Sequence, residues 1–75
     1  MKNRKNFDYS KLKGRIREVF GSDMAFAKAL GCSNNTMSAK TNNESDFTQS
    51  EIIKSVILLN LTYADIPQYF FTLQV

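Results

Sequence analysis

Seventy-five residues, 43% of them hydrophobic, make one small globular domain and leave no room for a second. One cysteine and no histidine exclude an internal disulfide and a structural zinc site. Net charge is +3, yet seven of the ten basic residues lie in the first seventeen positions, opposed there by Asp8 alone.

Residues 1–8 read as a flexible basic arm and residues 9–75 as one helical domain. Ser10 is placed to cap a first helix running to about Phe20. Leu12, Ile16, Val19 and Phe20 recur at helical spacing and should face inward. Gly21 closes that helix. Ser22 caps the next, with Asp23 adding negative charge to its first turn. Phe26, Ala27 and Leu30 form its inner face, and Gly31 stops it in a left-handed turn. Cys32 plugs the corner. Ser33 then caps a third helix whose inward anchor is Met37, and Asn42-Asn43 ends it. Position 40 would suit an apolar residue; Thr41 or the stem of Lys40 must cover the core there.

After a polar loop with Phe47 as a core anchor, Thr48-Gln-Ser-Glu51 is a capping-box pattern. It opens a fourth helix to about Leu59. Ile52, Val56 and Leu59 share one face, while Ile53, Ile57 and Leu58 extend the apolar surface toward a partner. Thr62 caps a short fifth helix over Tyr63–Ile66, and Pro67 opens or ends a turn. Phe70 to Val75 has strand character. Two outcomes stay open for this tail: it folds back over the core, or Phe71, Leu73 and Val75 meet a second copy.

The expected fold is therefore all-α, about five short helices with a helix-turn-helix at the second and third and a short C-terminal strand as an option. In such a motif the third helix enters the major groove with its N-terminal residues against base edges. Asn34, Asn35, Ser38 and Ala39 are the base-reading candidates, because Asn matches the adenine edge and an Ala methyl suits thymine. Lys40, Lys28, Lys11 and Arg15 are the candidates for backbone phosphates. The basic cluster of the arm and first helix suits a polyanion, above all DNA phosphate, with a solubilising tail as the alternative. Ile57, Leu58, Tyr69, Phe71 and Leu73 are the candidate partner interface.

FAKALG at Phe26–Gly31, followed by CSNNTMSAK, resembles the Cro and repressor proteins of temperate phages. YSKLKGRI, QSEIIK and IPQYFF resemble small Cro-like phage regulators of the lambda-repressor-like family. The resemblance implies operator binding at a switch between lysis and lysogeny, as a homodimer on double-stranded DNA, with DNA-backbone contacts near Asp23, Ser33, Lys40 and Asn43. It departs at Asp23, where relatives commonly carry Gln, and in lacking Arg or Gln among the readers.

Two functions follow. The first is a sequence-specific repressor of the Cro type. The alternative is an antirepressor, a protein-binding modulator that pairs with a cognate phage repressor and inactivates it. An enzyme is not expected, since no nucleophile–base pair, phosphate loop or catalytic carboxylate pair is present; neither cofactor nor metal is called for. No apolar run approaches the ~20 residues of a membrane span, and no signal peptide is visible, so the cytoplasm of the host cell is the expected location.

Overall fold

Local hydrogen bonds decide where each helix starts and stops. The computed structural model describes residues 6–74. In it α1 spans Ser10–Phe20, α2 Asp23–Leu30, α3 Asn34–Thr41, α4 Gln49–Leu58 and α5 Ile66–Phe70. No strand occurs among the described residues, and no described helix is long and apolar enough to cross a membrane.

The two central helices are capped as the sequence predicts. The Ser22 hydroxyl accepts from the Ala25 amide at 3.2 Å, and the Ser33 hydroxyl from the Thr36 amide at 3.1 Å. Gly31 sits at φ 94°, in the left-handed region, and its amide donates to Ala27 and Lys28 carbonyls. The capping box of α4 is complete: Glu51 N–H donates to Thr48 Oγ1, and Thr48 N–H donates to Glu51 Oε1. The start of α1 differs from expectation. Ser10 does not cap it; the Asp8 carboxylate accepts from both the amide and the hydroxyl of Ser10. The fifth helix also begins later than predicted. Tyr63–Asp65 is a single 3-10 turn, with Pro67 in the first turn of α5, where its missing N–H costs nothing.

Two cations stitch the helix ends together. Arg15 Nε of α1 donates to the Leu59 carbonyl at the end of α4, at 3.0 Å. Lys54 Nζ of α4 donates to the Leu30 carbonyl at the end of α2, at 3.2 Å. Each satisfies a carbonyl that the helix itself leaves unbonded.

Leu12 and Ile16 of α1, Phe26, Ala27 and Leu30 of α2, Met37 of α3, Ile52 of α4, Leu59 and Phe70 share one buried cluster. Val19 departs from expectation: it lies 44% exposed, while its neighbour Phe20 turns in and meets Phe26 edge-on at 5.4 Å. Phe47 anchors the loop as predicted, edge-on to Tyr9 at 5.4 Å and to Phe70 at 5.2 Å.

Residues 6–8, at the end of the expected arm, are docked; residues 1–5 and Val75 lie outside the described residues. Phe7 and Leu73 form an isolated antiparallel bridge. Asp8 N–H donates to Thr72 O at 2.6 Å, and Gln74 N–H to Asn6 O at 3.0 Å. The tail thus folds back within its own chain, and the predicted strand shrinks to this one bridge. Ring contacts reinforce it: Phe7 lies 5.8 Å from Phe71 and 6.2 Å from Tyr9.

Candidate interaction surfaces

The N-terminal half of α3 is displayed outward. Asn34, Asn35 and Ser38 are exposed, and Phe7 of the arm docks beyond the opposite end of the helix, at Asn43. Ala39 is half-buried, and its carbonyl accepts from the amides of Glu44 and Ser45. The Ser33 hydroxyl is committed to the cap and donates to Thr36 Oγ1 at 2.9 Å.

Three of the predicted phosphate contacts point the wrong way. Lys40 is only 6% exposed: its stem fills the core position after Met37, and its ammonium is spent inside. Nζ donates to the Asp46 carbonyl at 2.8 Å and pairs with Glu51 Oε1 at 3.0 Å. Arg15 is held by the Leu59 carbonyl and, at 3.1 Å, by Glu18. Asn43 adopts φ 65°, and its side-chain amide grips the backbone of Phe7 from both sides. Oδ1 accepts the Phe7 N–H at 2.8 Å, and Nδ2 donates to the Phe7 carbonyl at 3.0 Å. Lys28 and Lys11 are exposed, although the Lys11 ammonium lies over the Tyr69 ring, 5.6 Å from its centroid.

The charge left around α3 is therefore not positive. Between Gly31 and Gln49 the exposed charged side chains are Glu44 and Asp46. Nonspecific affinity for DNA comes almost wholly from cations on phosphate, so this face is poorly equipped for it. Asp23, at the first position of α2, adds a further carboxylate close by in sequence.

The apolar surface tells a different story. Ile53 and Ile57 stand four residues apart on α4, 44% and 70% exposed. A groove of about 410 Å³ runs beside them, bounded by Leu30, Ser50 and Lys54. A second groove, of about 300 Å³, lies on the other flank of Ile53, toward Ile66 and Phe71. Phe71 and Leu73 are half exposed. Of the predicted interface residues, Leu58 and Tyr69 are instead packed against the core, which leaves Ile57, Phe71 and Leu73 outside. Ile53 was read only as widening the apolar face; the structure makes it the ridge between the two grooves. No group of three His, Cys, Asp or Glu side chains suited to a metal occurs among the described residues.

A family model described as "Protein of unknown function (DUF739)" matches residues 5–73, nearly the full chain. The chain belongs to the DUF739 family. No curated protein matches this DUF739 chain. Among solved structures it resembles the modulator of repression (MOR) of the temperate bacteriophage TP901-1 from Lactococcus lactis. The two are 44% identical, with a TM-score of 0.78 over 88% of this chain and 89% of that one. The expectation of a phage-type regulator is met at that level. The finer resemblance to Cro proteins finds no support in these matches.

Proposed function

We propose that this DUF739 protein is a modulator of repression that acts by pairing with a separate phage repressor. The observation that carries the reading is the 44% identity to MOR along nearly the whole length of both chains. Two features of the surface support it. Three of the side chains that would hold phosphate, Lys40, Arg15 and Asn43, are engaged within the molecule. Meanwhile the Ile53–Ile57 ridge offers an exposed apolar face with a groove on each side, the form that packs against another helix. Pairing there removes apolar area from water and needs no charge from the partner.

The test is a mixture of the purified chain with the repressor from its own phage, resolved by size exclusion with light scattering. A stable heteromer is expected, and Ile57→Asp should weaken it at least about tenfold by burying an unpaired carboxylate. Two separate peaks at all concentrations would contradict the proposal.

A second reading, direct operator binding, has one observation in its favour: Asn34, Asn35 and Ser38 are exposed on a capped helix. It predicts a mobility shift by the chain alone on its regulatory DNA, lost in Asn35→Ala and steeply weakened by salt.

A further inference from the structure

Arm and tail meet at one antiparallel bridge with one closed edge and one open edge. In an antiparallel pair, residues at a non-hydrogen-bonded position turn their own N–H and C=O away from the partner strand. Phe7 and Leu73 occupy such a position, since the bonds flanking them are Asp8 to Thr72 and Gln74 to Asn6. On the arm side, the outward-facing groups of Phe7 are both taken by the Asn43 amide. On the tail side, the outward-facing groups of Leu73 have no partner among the described residues. Asn43 thus acts as a surrogate strand that seals one edge, and the other stays available.

We infer that the Leu73 edge pairs with the same edge of a second copy, giving an antiparallel four-strand ladder in the order arm, tail, tail, arm. Charge favours this occupant. Two copies of a +3 chain repel over most approaches, yet Ile66 to Val75 contains no charged side chain. Exposed edges are ordinarily protected by lysine or proline, and Thr72-Leu73-Gln74 has neither. Topology then sets the number of copies. Each chain has one open edge, because Asn43 closes the other, so two-fold pairing ends at a dimer and cannot propagate into a filament. Phe71, half exposed beside the groove with Ile53 and Ile66, gives the second tail an apolar surface to cover.

Leu73→Pro is a selective test. Proline removes the amide that would donate between copies, but neither bond that holds tail to arm uses that amide. Sedimentation of the intact chain should show the dimer fraction rising with concentration to about half near 1 mM, as suits a small interface. Leu73→Pro should remain monomeric throughout with an unchanged circular dichroism spectrum. Amide exchange by NMR reads the same contact without mutation. The Leu73 amide should exchange more slowly as concentration rises, whereas the Gln74 amide should be protected at every concentration. Monomer mass at about 1 mM with concentration-independent exchange at Leu73 would overturn the inference. So would self-association of Leu73→Pro as strong as that of the parent, or protection of Leu73 that arises only when the phage repressor is added. The mass and concentration readouts are taken on the chain alone, so they stand whether or not the chain pairs with the repressor through α4.

Discussion

Lys40 shows how one side chain can redirect a functional reading. A lysine on the third helix of a helix-turn-helix invites a phosphate contact, yet here its stem replaces an apolar core residue and its ammonium joins the loop to α4. Removing it takes a donor from the Asp46 carbonyl and an ion-pair partner from Glu51. Lys40→Ala should therefore lower unfolding free energy by about 2 kcal/mol in urea titration, the usual cost of breaking a buried pair reduced because Glu51 is 25% exposed. A phosphate-binding lysine at the surface would cost almost nothing. Glu51 carries the pH dependence of the same contact. Burial, the largest influence, pushes its carboxyl up; the Thr48 amide and Lys40 together outweigh it and hold the group below its ordinary 4.5. The unfolded chain thus takes up the proton first on acidification. The stabilisation is complete above the unfolded value and fades as pH falls through the folded one. Hydrogen bonds from Ser10 to Asp8, and from Thr62 to Asp65, lower those carboxyls in the same direction. Melting temperature should drop below about pH 4.5, and Glu51→Gln should flatten part of that slope. Asn43 gives a third test. Asn43→Gly keeps the left-handed backbone but loses both bonds to Phe7, so the Phe7 amide should exchange faster while helix content stays constant.

Among the elements, α2, α3 and α4 were legible because their signals are local. Ser22, Gly31 and Ser33 mark a cap, a stop and a cap within twelve residues, and Thr48 with Glu51 closes a box within four. Gly31→Ala should cost about 1–2 kcal/mol through the left-handed backbone alone. The nearest atom to its new Cβ would be Lys54 Nζ, at an ordinary 3.7 Å. What the sequence could not announce is nonlocal. The pairing of Phe7 with Leu73 joins opposite ends of the chain through a single bridge, too short to leave a strand pattern. The aromatic contacts linking Tyr9, Phe47 and Phe70 are nonlocal too, so nothing local in the sequence marked Tyr9 as core. Lys40 misled for the opposite reason: the core position was noticed, but the ammonium's internal acceptors come from a loop and a different helix. Leu58 and Tyr69 were assigned to a partner because α4 and the tail are too apolar for a single stripe, and the small core absorbs both.

At the scale of the whole molecule, the fold presents a display helix with no exposed cation among residues 31–49 and, on α4, an apolar ridge between two grooves. That division matches a protein that acts on a repressor better than one that competes with it for the operator. The most direct measurement is the fluorescence anisotropy of a labelled operator already bound by the phage repressor, followed as the DUF739 chain is added. Repressor pairing predicts that anisotropy falls to the value of free DNA as the chain reaches equivalence, with the chain alone leaving the operator unshifted. An anisotropy that stays constant, or rises because the chain itself occupies the DNA, would contradict it.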